Sequence, residues 1–171
     1  MERAVKLLSM RGYSVFELTK KLEDKGYEAA EVQDVIQRLL KNNFLNDERF
    51  AYDRIRYRIT VSGWGKRRIM MELDAKQVDS VIAARKFDEY FEVEAEKSLK
   101  EQAYALLMRK YGPWHDQMED GSASYDIRMQ QRKEIEKEKN RRVQFLMRRG
   151  FSLSEALDAL ARSARPEDED E

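Results

Sequence analysis

The sequence predicts an all-α protein made of three tandem three-helix units. Three observations carry that expectation. Only 7 glycines and 2 prolines punctuate 171 residues, and 39% of the residues are charged. Glu, Lys, Arg, Leu and Ala dominate, which favours helix and leaves too few turn residues for an all-β fold. Apolar residues recur at helical spacing behind S-x-x-E boxes. One short pattern also occurs three times: Leu22-x-x-Lys25-Gly26-Tyr27, Leu73-x-x-Lys76-Gln77-Val78 and Leu146-x-x-Arg149-Gly150-Phe151, at offsets of 51 and 73 residues. Each instance is a helix end, a cation, a turn residue and an apolar anchor before another helix. Ile36, Phe87 and Leu160 fall at the same offsets.

The elements follow in order. Ala4, Val5, Leu7 and Leu8 mark a short first helix. Ser14 and Glu17 form a capping box, with Tyr13 and Leu18 at the positions of a hydrophobic staple. Gly26 is the expected left-handed stop, and Tyr27 is expected to pack onto Leu22. Val32, Val35, Ile36, Leu39 and Leu40 stripe the next helix, which ends at Asn42 and Asn43. Asn46 caps a helix carrying Phe50, Ala51, Ile55 and Ile59. Gly63-Trp64-Gly65 breaks the chain before a short helix with Ile69, Met70 and Leu73. Gln77 is the poor member of the turn series, because a non-glycine residue is strained in the left-handed region. Asp79 caps the next helix, with Ala83, Phe87, Tyr90 and Phe91 on one side.

A long helix is then expected from about Glu92 to Tyr111, stopped by Gly112 and Pro113. Its acids Glu92, Glu94 and Glu96 suit a solvated helix start. Helix resumes near Arg128, almost entirely charged to Lys139, with Val143, Leu146 and Met147 as its core face. The run from Arg132 to Arg142 reads either as a solvent-bridging helix held by i, i+4 pairs or as partly disordered. Ser152 and Glu155 form another box, backed by Leu153, Ala156, Leu157 and Leu160. The expected units span 1–46, 47–91 and 92–163, with a loop insertion near 112–127 in the third and an acidic tail over 164–171.

Zero cysteines exclude disulfides, thiolate metal sites and cysteine nucleophiles, and fit a reducing compartment. No targeting run or membrane-length apolar stretch is visible, so a soluble, cytoplasmic protein is expected. The single His115 lies near Asp116, Glu119 and Asp120, but that spacing matches no defined ligand set and reads as a polar loop. There is no phosphate-binding glycine loop. No cofactor is expected, nor an enzyme.

Charge is the better signal. The chain is neutral overall, yet residues 52–91 carry +3, residues 131–151 carry +5 and residues 152–171 carry −5. Arg54, Arg56, Arg58, Lys66, Arg67 and Arg68 follow one another with no acid between Arg54 and Met71, interleaved with Tyr57 and Trp64. Lys66–Arg68 sit in a first helical turn, where the dipole disfavours cations, which hints at a charged partner. Arg141, Arg142, Arg148 and Arg149 form the second cluster. These ten are the candidate partner-binding residues; a solvated helix face is the plain alternative. Tyr52, Tyr57, Phe87, Tyr90 and Phe91 read as core rather than as a stacking platform. The five acids Glu167–Glu171 could mimic a polyanion on charge alone.

Four segments resemble the RecX family in its order: Leu7-Leu8-x-x-Arg11-Gly12-Tyr13-Ser14-x-x-Glu17-Leu18, Phe44-Leu45-Asn46-Asp47-Glu48-Arg49-Phe50-Ala51, Gly65-x-x-Arg68-Ile69-x-x-Glu72-Leu73 and Phe145-Leu146-x-Arg148-Arg149-Gly150-Phe151. The chain departs from the family at Gln77, where glycine is usual, and over 112–140, which is longer and more charged. The resemblance implies an elongated, curved array of three-helix repeats. It also implies a non-enzymatic regulator that lodges in the helical groove of the RecA recombinase filament and inhibits its recombinase, ATPase and co-protease activities. RecA is then the partner, with filament DNA as a further contact, no membrane, and a monomeric state. The residues alone leave a second class open: a nucleic-acid-binding, helix-turn-helix-like module using the same cations on phosphates.

Overall fold

The computed structural model describes residues 1–114 and 124–164. Among them are nine α-helices and no strand. They are α1 (Glu2–Met10), α2 (Val15–Glu23), α3 (Ala29–Lys41), α4 (Asp47–Thr60), α5 (Lys66–Ala75), α6 (Ser80–Val93), α7 (Leu99–Tyr111), α8 (Tyr125–Arg148) and α9 (Leu153–Ser163). The chain divides into two compact units. The first comprises Met1–Ser62 and Ile69–Ala95; the second comprises Gly63–Arg68 with the described residues from Glu96 onward.

The repeated turn has one geometry at all three places. The amides of Tyr27, Val78 and Phe151 donate back to the carbonyls of Leu22, Leu73 and Leu146 at 3.4, 3.1 and 3.2 Å. The amides of Gly26, Gln77 and Gly150 donate to Glu23, Asp74 and Met147 at 2.8, 2.8 and 2.9 Å. That pair of bonds is the Schellman motif. It demands a left-handed residue, and φ is 85° at Gly26, 51° at Gln77 and 92° at Gly150. Gln77 thus takes the strained conformation its neighbours leave to glycine. Leu22, Leu73, Leu146, Ile36, Phe87 and Leu160 are all buried, so the frame of the repeat holds. The anchors differ: Val78 and Phe151 are 4% and 1% exposed, whereas the Tyr27 ring stays 44% exposed, so only its amide closes the first turn as expected.

Caps begin the helices that the sequence marks. Ser14 accepts the Glu17 amide at 3.1 Å and Ser152 accepts the Glu155 amide at 3.2 Å, each with the reciprocal glutamate bond. Asn46 and Asp79 cap α4 and α6 with their side chains. The helix expected from Glu92 to Tyr111 is instead two helices. Helix α6 runs on to Val93, and Ser98 with Glu101 makes a further capping box that starts α7. Glu92 therefore ends a helix, and Glu94 is its C-cap rather than part of a helix start. Helix α8 begins at Tyr125, and its charged run is helical throughout, about 36 Å over 24 residues.

In the first unit, α2 packs on α3 and α4 on α6. Ala4, Leu7, Tyr13, Leu18, Leu22, Val32, Ile36, Leu39 and Leu45 form one continuous cluster. Tyr52, Phe87, Tyr90 and Phe91 contact one another edge-on or tilted at 5.1–6.3 Å and pack together as expected, whereas Tyr57, expected in the core with them, is exposed. In the second unit, α9 packs on α7 and α8. Its buried face is Ala156, Ala159, Leu160 and Ser163, while Leu153 and Leu157 are exposed, contrary to expectation. Small residues let α9 approach α7 closely and turn the larger leucines outward. Met147 is likewise exposed, and Arg142 takes the buried place beside Val143 and Leu146. Among the described residues no helix is long and apolar enough to cross a membrane.

Candidate functional site

The cations of the first cluster are not equivalent. Arg58 lays its guanidinium against both oxygens of Glu72, Nε to Oε2 at 2.6 Å and Nη2 to Oε1 at 2.7 Å. Arg54 reaches the same carboxylate at 2.8 Å. These side chains are mostly covered, so the pairs are fork-like and poorly screened. Burial alone would raise the Glu72 carboxyl, but the hydrogen bond from Arg58 and the charges of both arginines outweigh it and hold the group below its ordinary value. Arg56 pairs with Glu94 at 3.2 Å on the surface. Tyr57 is exposed beside them.

Lys66, Arg67 and Arg68 belong to the second unit, where a close backbone contact places them. The Gly65 amide donates to the Arg149 carbonyl at 2.8 Å and the Arg67 amide to the Gly150 carbonyl at 3.0 Å. A Cβ on Gly65 would lie 2.5 Å from the Gly150 carbonyl, and one on Gly150 would lie 2.5 Å from the Arg68 backbone nitrogen. Only two glycines permit this approach. The first amides of α5 thus meet the last carbonyls of α8, and Arg68 Nη1 adds a 3.3 Å bond to the Arg148 carbonyl. The negative end of α8 offsets the dipole penalty on Lys66–Arg68, so part of the charged partner implied by that penalty lies inside the chain.

The same contact brings two clusters, far apart in sequence, to one place. Arg68, Lys137, Arg141, Arg148 and Arg149 line an open groove of about 610 Å³ with Tyr111, Asn140, Gln144 and Phe145. No carboxylate is among those lining residues. The cations lean on rings: Arg68 on Trp64 at 4.0 Å, Arg149 on Phe145 at 5.2 Å and Arg141 on Tyr111 at 5.2 Å. Tyr111 and Phe145 meet edge to face at 5.4 Å, which fixes the floor. Lys137 and Arg141 also make surface helix pairs with Glu134 and Glu138, at 3.8 and 3.2 Å.

Arg142 points the other way. It is buried, with Nη1 donating to the Gly112 carbonyl at 3.0 Å, Nη2 to the Tyr111 carbonyl at 3.4 Å and Nε to Glu138 at 3.1 Å. It therefore closes the C-terminal end of α7. Of the ten sequence candidates, Arg68, Arg141, Arg148 and Arg149 come together in the groove, and Lys66 and Arg67 stand in the turn beside it. Arg54 and Arg58 are held on Glu72, Arg56 on Glu94, and Arg142 faces the interior. Lys137 is the groove cation that sequence reasoning passed over, although it lies one turn before Arg141. His115, Asp116, Glu119 and Asp120 lie outside the described residues, as do Glu167–Glu171. Among the described residues no group of three or more His, Asp or Glu is arranged to hold a metal ion.

Comparison with known proteins follows the same outline. Residues 1–39 match the family model of the RecX first three-helix domain, and residues 46–85 match that of the second. "Regulatory protein RecX" of Vibrio vulnificus is 29% identical over 163 residues, covering 95% of this chain and 92% of that protein. The Vibrio parahaemolyticus protein of the same name is 40% identical over 106 residues, 58% of this chain and 68% of the relative. That of a Mycobacterium species is 30% identical, covering 91% and 76%. The crystal structure of RecX from Lactobacillus salivarius superposes with a TM-score of 0.67 at 21% identity, covering 95% of this chain and 92% of that one, which is a likeness of fold.

Proposed function

The chain belongs to the RecX family of regulatory proteins, and on that premise we propose that it is a non-enzymatic regulator of the RecA recombinase. In this reading it binds the RecA filament in the filament's helical groove and inhibits recombinase, ATPase and co-protease activities. It acts as a cytoplasmic monomer. The observation that carries the site is the groove of the second unit: five cations converge there with no carboxylate among the lining residues. Such a surface suits an acidic protein face or the phosphates of filament DNA, and its charge supplies steering and partner choice. Helical units that each make a modest contact favour an assembled filament over free subunits, because every further contact is effectively intramolecular. Arg56, Arg67 and the cations held on Glu72 contribute to the outer field rather than to the groove.

Co-sedimentation tests this. The chain is expected to pellet with RecA filaments formed on single-stranded DNA and to remain in solution with free RecA. Retention on bare DNA that exceeds retention on filament would favour the second reading, a nucleic-acid-binding helical module, which the same groove also supports. Phosphate-dominated binding would then fall steeply and log-linearly with salt.

A further inference from the structure

We propose that the first repeated turn, Lys25-Gly26-Tyr27, is a docking surface for a helix start of a partner protein, one that opens with glycine and carries cations in its first turn. This surface is distinct from the groove of the second unit, and the proposal does not rest on the RecA reading.

The other two turns show what such a turn receives. Ser14, at the start of α2, donates its hydroxyl to the Lys76 carbonyl at 2.9 Å, and its box partner Glu17 takes the Lys76 ammonium. Gly65, at the start of α5, donates its amide to the Arg149 carbonyl at 2.8 Å, and the Arg67 amide follows onto Gly150 at 3.0 Å. The donors are 51 residues apart and the acceptors 73. Extended by the same offsets, the series has one acceptor and one donor position left, Lys25 and Glu138. Glu138 lies inside α8, where no helix begins. A second copy of the chain would bring the same uninterrupted helix. Among the described residues nothing donates to the Lys25 carbonyl and no carboxylate pairs with its ammonium. Lys25, Gly26 and Tyr27 are all exposed. The series therefore leaves one turn for a partner from outside the chain.

Space and charge select that partner. At the second turn, where Gln77 carries a side chain, the contact is made by the Ser14 hydroxyl. At the third, Gly150 lets backbone meet backbone, and a Cβ there would lie 2.5 Å from the Arg68 nitrogen. The first turn is built like the third. Gly26 has a φ of 85°, and among the described residues nothing lies within 4 Å of a Cβ placed on it, so the space that α5 fills at Gly150 is open here. Its charge is the reverse of what a helix end favours. Glu23 closes α2 and Asp24 caps it, at the negative pole of the helix dipole and beyond Lys20 and Lys21. Residues 22–31 carry four acids, Glu23, Asp24, Glu28 and Glu31, against Lys25, a net −3. This mirrors Lys66–Arg68, cations at the positive pole of α5 that the end of α8 offsets. A cationic first turn would relieve the acids as its amides meet the carbonyls. Beside the turn, an open groove of about 590 Å³ whose lining includes Met1, Leu22, Tyr27, Val32 and Val35 gives apolar room for residues flanking such a start.

The probe is an end-blocked peptide of the chain's own residues 62–75, the segment that covers the third turn. It is titrated into the full-length, nitrogen-15-labelled chain and followed by amide chemical shifts. At low salt the amides of residues 24–28 are expected to shift and to approach saturation at about millimolar peptide, the range of so small a contact. Those of residues 149–151, already covered, should stay still. Carrying K66E, R67E and R68E in the peptide should weaken binding about five-fold or more, as should E23Q with D24N in the chain, and both deficits should narrow as salt rises. Gly26→Asn, which tolerates the left-handed conformation but fills the open space, should weaken binding by a similar factor with helical content unchanged. Shifts confined to residues 137–151, equal affinity for the charge-reversed peptide, undiminished binding by the folded G26N chain, or no shift at about 5 mM peptide would each overturn the proposal. So would the same shifts on concentrating the chain alone, which would make a second copy the occupant. No recombinase enters the assay, so its result stands apart from the RecA reading.

Discussion

The two units share one turn but hold their most covered cations differently. In the first unit cations are spent on carboxylates: Arg54 and Arg58 on Glu72, Lys76 and Arg11 on Glu17, Lys86 and Arg85 on Glu48. In the second several also lean on aromatic rings and backbone carbonyls: Arg68 on Trp64, Arg149 on Phe145, Arg162 on Tyr104, and Arg142 on the end of α7 beside its 3.1 Å pair with Glu138. A cation on a carboxylate is neutralised. Arg68, on a ring and a carbonyl, keeps its charge and can present it to a partner. The acid-free run from Arg54 to Arg68 is the louder signal in the sequence, yet Glu72, a turn of α5 away from that run, silences two of its members.

The repeat frame gives the largest test of this comparison. Leu73→Ala in the first unit and Leu146→Ala in the second should each cost about 2–5 kcal/mol in urea denaturation, because both side chains are fully buried at equivalent places. A near-wild-type midpoint for either would break the equivalence.

The starts of α2 and α5 should separate the units next. Ser14 donates its hydroxyl to the Lys76 carbonyl at 2.9 Å, and Gly65 donates its amide to the Arg149 carbonyl at 2.8 Å. The donors are 51 residues apart and the acceptors 73, the offsets that relate the turns. The first contact is a side-chain bond; the second is backbone on backbone. Gly65→Ala should therefore cost about 1–3 kcal/mol or more, since its methyl would meet the Gly150 carbonyl, and should dislodge Arg68 from the groove. Ser14→Ala should cost about 1 kcal/mol for the cap. Thermal midpoints check the order, and a costlier Ser14 variant would contradict it.

Acid should sharpen the comparison least. Burial would raise Glu17, but hydrogen bonds from Lys76 and Arg11 outweigh it and leave the carboxyl lowered, like Glu72. A lowered carboxyl contributes stability above the ordinary carboxylate range and loses it as pH falls through its depressed folded value. Asp47 has the opposite sign: burial raises it despite the Val15 amide bond, so its ionised form costs stability that acid restores. Three lowered groups in the first unit (Glu17, Glu72 and the exposed Glu48) against one raised, and one lowered group, the exposed Glu101, in the second, should make the first unit lose amide protection before the second as pH drops below about 4. Hydrogen exchange resolved by segment reads this directly, and simultaneous loss would contradict it.

Much of the fold was legible because it is written locally. Boxes, glycine stops and i, i+4 stripes need only neighbours in the chain, and Leu22, Leu73 and Leu146 are buried where their offsets place them. The Ser98–Glu101 box was equally readable, but the acids Glu92, Glu94 and Glu96 suggested a start several residues early. The site was less legible because its partners are distant. Nothing near Arg142 foretells that the carbonyls of Tyr111 and Gly112, some thirty residues back, will claim it. Nothing near Arg68 foretells Arg148 and Arg149, which arrive through the Gly65–Gly150 approach.

The central claim is that the groove of the second unit, and not the cation run of the first, meets the recombinase filament. Inhibition of DNA-dependent ATP hydrolysis by RecA, measured at low salt, tests it most directly with two full-length variants of unchanged helical content. One carries K137E, R141E and R148E in the groove; the other carries R56E in the first unit. The groove variant should lose inhibition by about tenfold or more, its deficit narrowing as salt rises, while the R56E variant stays within about twofold of wild type. A folded groove variant that inhibits as well as wild type, or an R56E variant that fails as badly, would contradict the account.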